Sequence, residues 1–147
     1  MGLSLPGSVL FCCTYNIVRS PMAEGILKHL HGQRIYVDSV GLRTAAIDGF
    51  TLEVMAEIGV DLTRHRPKSF AELEDDLFDV IISLSPEAQH RAVELTRHNA
   101  CLLEFWPTMD PTLVEGSRPV RLDAYRRVRD QLLARIGDRF PVRSSGT

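Results

Sequence analysis

The residues best suited to chemistry lie near the start of the chain, where Cys13 is followed five residues later by Arg19, then by Ser20 and Pro21. Spacing alone singles out little, because the chain has three cysteines and is rich in arginine. The setting does more. The apolar run from Ser8 to Cys13 reads as a buried strand that ends on the thiol. Ser20-Pro21 reads as a helix start, with Ser20 as N-cap and Pro21 at the first helical position. A short loop wrapping toward a helix start points backbone N–H groups inward and adds the positive end of the helix dipole. The planar fork of Arg19 can grip two oxygens of a phosphate-like dianion. Such a cradle stabilises any anion at its centre, a thiolate included, so Cys13 is the expected nucleophile. Thr14, Tyr15, Asn16, Ile17, Val18, Arg19 and Ser20 are the expected phosphate-binding set. Ser20 is suited to hydrogen-bond the sulfur and ease its later departure. Asn16 is suited to lock the loop, since Asn tolerates left-handed backbone angles. Cys12 points the opposite way along a strand and reads as a small buried hydrophobe.

The elements that must hold this loop alternate along the chain. After the first strand and helix, 35–40 reads as a second strand, 51–58 as a helix stopped by Gly59, and 64–70 as a polar loop. Residues 77–84 form the most continuously apolar run, expected to be a strand buried on both faces. Ser85-Pro86 repeats the cap-plus-proline helix start, and 100–105 reads as a fourth strand. Leu122, Tyr125, Val128, Leu132 and Ile136 are spaced for a final amphipathic helix, with a flexible tail expected over 141–147. This alternation predicts an α/β fold with parallel strands and helices on both sheet faces. Ligands of such sheets bind beyond the carboxyl ends of the strands, where the Cys13 loop falls.

Composition limits the alternatives. The 147 residues suit one domain spanning 1–147 with its own core. A net charge of −2 argues against nucleic acid as a partner. No apolar run has the length of a membrane span, and residues 1–7 lack the pattern of a signal peptide. The Met-Gly start lacks the Ser or Thr at position 6 that myristoylation needs, because Pro6 stands there. Cys12 and Cys13 are adjacent and Cys101 is the only other cysteine, which fits a reducing cytoplasm better than a disulfide framework. His29, His31, His65, His90 and His98 are scattered without zinc-ligand spacing, so no metal is expected.

The run Val-Leu-Phe-Cys-Cys-Thr-Tyr-Asn-Ile-Val-Arg-Ser-Pro-Met-Ala-Glu, from Val9 to Glu24, resembles the signature of low-molecular-weight protein tyrosine phosphatases and of the related arsenate reductases. The likeness continues through Asp38-Ser-Val-Gly41, Gly59-Val-Asp-Leu-Thr-Arg-His65, Asp79-Val-Ile-Ile-Ser83 and Asp110-Pro111. It implies a three-layer αβα sandwich on a four-stranded parallel sheet, with no metal or organic cofactor. It implies that Cys13 attacks phosphorus, that Arg19 and the loop amides hold the equatorial oxygens, and that Asp110 is the general acid. Asp123, Asp75 and Asp76 suit that last role less well: the first is placed at a helix start, the others in an acidic stretch.

Departures from the phosphatase pattern stand beside the match. Val18 occupies the place of a second loop cysteine, and Tyr15 that of a glycine, so its ring must point outward as a lip. Thr112 and Leu113 stand where tyrosines usually wall the pocket. The Cys-Thr start, and Asp-Pro-Thr with Glu115-Gly-Ser and Tyr125-Arg-Arg-Val-Arg-Asp130, resemble the arsenate reductases more closely. The thioredoxin-coupled reductases relay a disulfide through two further cysteines near the helix after strand three. Residues 83–93 hold none, and Cys101 reads as a structural thiol. The main expectation is a cysteine-dependent phosphomonoesterase of the low-molecular-weight protein tyrosine phosphatase type, acting through a cysteinyl-phosphate intermediate on a phosphorylated protein or small phosphomonoester, with phosphate, vanadate and arsenate as ligands or inhibitors. The alternatives are an arsenate reductase fed by an external thiol, and a non-catalytic oxyanion- or phosphopeptide-binding module.

Overall fold

The computed structural model describes residues 5–142 except 75, 76 and 98. Asp75, Asp76, His98, residues 1–4 and the tail residues 143–147 therefore lie outside the described residues. Four strands, β1 (Ser8–Cys13), β2 (Tyr36–Gly41), β3 (Val80–Ser83) and β4 (Leu102–Phe105), form one parallel sheet in the order β2-β1-β3-β4. Four α-helices intervene or follow: α1 (Arg19–His31), α2 (Gly49–Ala56), α3 (Pro86–Leu95) and α4 (Arg118–Arg139). Among the described residues no helix is long and apolar enough to cross a membrane.

The period of two along β1 sorts the core into two layers. Val9, Phe11 and Cys13 face a cluster built from α1, α2 and α4, including Met22, Val54, Tyr125 and Ile136. Leu10 and Cys12 face a smaller cluster with Val40, Phe70, Ile81, Ala88 and Ala92, under α3. The expected αβα sandwich is the one observed. All five apolar positions read as the stripe of the last helix are buried. That helix starts earlier than its stripe suggests, at Ser117-Arg118-Pro119, where the Ser117 side chain accepts from Val120 N. It also carries Asp123 inside it rather than at its start.

Two elements depart from expectation for identifiable reasons. The 77–84 strand is paired only over Val80–Ser83, and Leu77 is exposed. Ser85 caps α3 as expected, accepting from Ala88 N, but Ser20 does not cap α1. Helix α1 begins two residues earlier, with Val18 in the cap position and no side-chain cap bond. The Ser20 hydroxyl is engaged elsewhere, by Cys13 and Asn16. The same Ser-Pro pair therefore serves two different ends.

Candidate active site

Strand β1 delivers Cys13 to the carboxyl edge of the sheet, 2% exposed. The chain then turns through residues 14–18 and enters α1. Asn16 makes the turn possible by taking φ of 53°, the single non-glycine residue with positive φ among those described. Its amide is fully used. Nδ2 donates to Ser20 Oγ and Ser39 Oγ, each at 2.8 Å, and Oδ1 accepts from Lys68 N at 3.0 Å. His65 Nε2 lies 3.2 Å from the same Oδ1 and 3.3 Å from the Asn16 carbonyl oxygen. Both are acceptors, which assigns the proton to Nε2. Ser39 donates in turn to Glu24, which also pairs with Lys28. Burial pushes the His65 imidazole below its ordinary pKa, and the nearby Glu24 carboxylate opposes that shift.

The sulfur receives two donors. Asn16 N–H reaches Cys13 Sγ at 3.3 Å, and Ser20 Oγ lies 2.9 Å from it. Because Ser20 Oγ already accepts from Asn16, its own hydrogen is free to point at the sulfur. The N–H groups opening α1 have no partner inside the helix, which suits that helix start to receive an anion. Gly41 forms the floor beneath the loop. A Cβ there would stand 2.7 Å from both Asn16 N and the Tyr15 carbonyl carbon, so only glycine lets the loop lie against β2.

Arg19 closes the far side, 7% exposed. One terminal nitrogen donates to Thr108 O at 2.9 Å and the other to Thr14 Oγ1 at 3.4 Å. The second nitrogen is 3.9 Å from Asp110 Oδ2. This side of the site belongs to the loop after β4, residues 106–111, where Thr108 N also bonds Leu84 O at 3.1 Å. Asp110 divides its work. Oδ1 accepts from Thr112 N and Oγ1, capping a 3-10 turn over Pro111–Leu113, while Oδ2 faces Arg19.

The structure thus brings Cys13, Arg19, Asp110 and the loop residues together at one edge. Tyr15 is 39% exposed, in keeping with an outward-pointing ring. Ile17 is half-buried, and its carbonyl accepts from Asp48 N. Val18 sends its side chain into the core, so only its backbone can serve the cradle. Thr14 Oγ1 is drawn toward Ser85 and Glu87 at 3.1 and 3.2 Å. Asn16 locks the loop as expected, and Ser39, His65, Lys68, Glu24 and Gly41 form a set around it whose roles the sequence did not announce. The blocks 38–41 and 59–65 carried three of them, but only their convergence on Asn16 reveals why.

The remaining thiols stand away from this centre. Cys12 Sγ lies on the other face of β1, and burial raises its pKa well above that of a free thiol. By the strand register Cys13 is level with position 106, just past β4, and Cys101 precedes that position by five residues, roughly 17 Å at ~3.3 Å per residue. Burial also raises the pKa of Cys101. All three cysteines are free. Disulfide geometry requires Cα atoms within about 7 Å and Cβ atoms turned toward each other: Cys101 fails the first condition and Cys12, on the opposite face of β1, the second, so neither thiol can resolve an adduct on Cys13 without refolding the sheet.

The model of the low molecular weight phosphotyrosine protein phosphatases matches residues 8–139. The chain belongs to that family. A glutaredoxin arsenate reductase of Synechocystis is 30% identical over 128 residues, covering 87% of this chain and 92% of that protein. An arsenate reductase solved in its oxidised state superposes with a TM-score of 0.76 at 28% identity, covering 90% of this chain and 95% of the other. The low molecular weight protein tyrosine phosphatase of T. tengcongensis superposes at 0.70 with 26% identity, covering 86% and 92%. The family's two chemistries both stand among the relatives.

Proposed function

We propose that this chain is an arsenate reductase that draws its electrons from an external thiol, with residues 8–139 acting as one catalytic domain. The observation that carries the reading is the likeness to arsenate reductases along nearly the whole chain, joined to a Cys13 that has no partner thiol within reach. The likeness favours reduction. The isolation of Cys13 makes the reductant a separate molecule.

In this reading the Cys13 thiolate attacks arsenic and expels one oxygen as water, with Asp110 supplying the proton. Arg19 and the loop amides hold the remaining oxygens. The thiolate of the external thiol then attacks Cys13 Sγ. The sulfur–arsenic bonding pair stays on arsenic, which leaves as arsenite. A second thiol attacks the mixed disulfide and restores the Cys13 thiolate. Two thiols are oxidised to one disulfide while arsenic gains two electrons.

A second reading keeps the same first half-reaction with phosphorus in place of arsenic. It is favoured by the family description and by Asp110 Oδ2 facing the Arg19 fork, where a leaving oxygen would need its proton. Water would then hydrolyse a cysteinyl phosphate.

The deciding experiment supplies arsenate with glutathione, glutaredoxin, thioredoxin or mycothiol and measures arsenite, alongside metal-independent hydrolysis of an aryl phosphate. Arsenite formation that disappears in Cys13→Ser is expected. Hydrolysis lost in Cys13→Ser without arsenite from any thiol would favour the phosphatase. Either activity surviving Cys13→Ser would overturn the shared mechanism, and oxyanion binding without turnover would leave a binding module.

A further inference from the structure

Beside the Cys13 loop lies a separate groove of about 490 Å³, lined by Asp48, Gly49, Phe50, Glu53, Arg118 and Arg121. It joins the starts of α2 and α4, and one hydrogen bond separates it from the Cys13 loop. Asp48 N donates to Ile17 O at 3.4 Å. The Asp48 carboxylate is committed within the fold: Oδ1 accepts from Phe50 N at 2.8 Å and Oδ2 from the Tyr125 hydroxyl at 2.7 Å. That hydroxyl lies close enough to Asp110 and Arg121 to feel both charges. Helix α4, which carries Arg121, also packs against the Pro111–Leu113 turn that Asp110 caps.

The charges in the groove are unequally satisfied. Arg118 is paired with Glu53 at 2.5 Å. Arg121 has no acidic partner among the described residues. Its guanidinium instead lies 4.9 Å over the Phe50 ring, which Arg118 also approaches at 5.6 Å and which packs edge-on against Tyr125. A half-buried fork fixed on an aromatic face, with its hydrogen-bonding edge still available, is suited to a carboxylate.

We infer that this groove is the docking subsite of the external reductant, and that the reductant is a carboxylate-bearing peptide thiol of the glutathione class. The inference rests on the reductase reading above, and it names the electron donor. One carboxylate sits on the Arg121 fork, the peptide lies across Phe50, and the thiol turns over Ile17 toward Cys13. Three extended residues span roughly 10 Å, a length that carries a thiol from this groove to the adjoining loop. A thiol without a carboxylate, such as 2-mercaptoethanol or mycothiol, has nothing to offer Arg121.

Two measurements test this, and they fail separately. The first needs no arsenate: S-methylglutathione, which cannot react, is titrated into the full chain and followed by protein NMR. Saturable shifts centred on Phe50 and Arg121 are expected, with affinity weakened at least tenfold in Arg121→Ala and also in Arg121→Glu. Absence of binding at millimolar concentration, or shifts centred elsewhere, would overturn the subsite whatever the enzyme does. The second compares reductants in the arsenate assay. The ratio of kcat/KM with glutathione to that with 2-mercaptoethanol is expected to fall at least tenfold in Arg121→Ala, through KM for glutathione. An unchanged ratio would overturn the proposal. Binding at Arg121 without arsenite from any thiol would leave the subsite standing and remove the reductase reading alone.

Discussion

At the scale of single residues, the site depends on shape as much as on charge. Arg19 uses two nitrogens at once, one on Thr108 O and one toward Thr14 and Asp110. A lysine would keep the charge and lose that division. Arg19→Lys is therefore expected to be nearly as damaging as Arg19→Ala, measured as kcat/KM for arsenate or for an aryl phosphate. Near-native turnover in the lysine variant would contradict the two-pronged grip. Asp110 also divides its oxygens: one holds the 3-10 turn and the other faces Arg19. Asn keeps an oxygen to cap the turn but cannot supply a proton. Asp110→Asn should slow aryl-phosphate turnover at least tenfold, within the ~10²–10⁴ range of general acids. A native rate would place the acid elsewhere.

At the scale of elements, the Cys13 loop is shaped from below. Gly41 at the end of β2 sets the height at which Asn16 and Tyr15 pass. The atoms a Cβ would meet are backbone, which cannot step aside as a flexible side chain would. Gly41→Ala should reduce activity at least tenfold and destabilise by about 1–3 kcal/mol, read by kinetics and chemical denaturation. Gly137→Ala, in a stretch of α4 where a new methyl meets nothing within 4 Å, should keep full activity and gain about 1 kcal/mol from helix propensity. Equal behaviour of the two variants would refute the role given to Gly41. The contrast between elements also explains what the sequence could reveal. Strand β1, the Ser85 cap and the apolar stripe of α4 depend on local pattern and are legible in it. Ser20 departs from its expected cap role because its hydroxyl is captured by Asn16, a contact set by the folded loop rather than by the Ser-Pro pair. The apolar run before Val80 reads as strand, but hydrophobicity does not reveal where a pairing neighbour ends. The Asn16 support set is legible only as disconnected blocks, since it joins positions 49 and 52 residues apart.

At the scale of the molecule, that support set ties the site to the stability of the fold. His65 links the 59–68 segment to the loop and lies 3.8 Å from Glu24 on α1. Its folded pKa lies below its ordinary value of 6.5, chiefly through burial. The unfolded chain then binds more protons than the folded one just below pH 6.5. The corresponding stability is present above that pH and is lost as pH falls toward the folded value. The Tm of the native protein should drop more steeply below pH 6.5 than that of His65→Gln. Parallel curves would assign the acid sensitivity to other groups.

The back-to-back arrangement of Cys12 and Cys13, with valine at position 18, also determines how the protein meets oxidative stress. A sulfenic acid formed on Cys13 by peroxide would find no neighbouring thiol to trap it as a disulfide. Oxidation would then proceed to sulfinic acid unless a small thiol from solution intervened. Brief peroxide treatment should inactivate the protein irreversibly on its own. With glutathione present during exposure, the damage should become reversible, and mass spectrometry should find the tripeptide on residue 13. The same molecule would then be both fuel and shield, and activity would follow the thiol supply of the cell twice over.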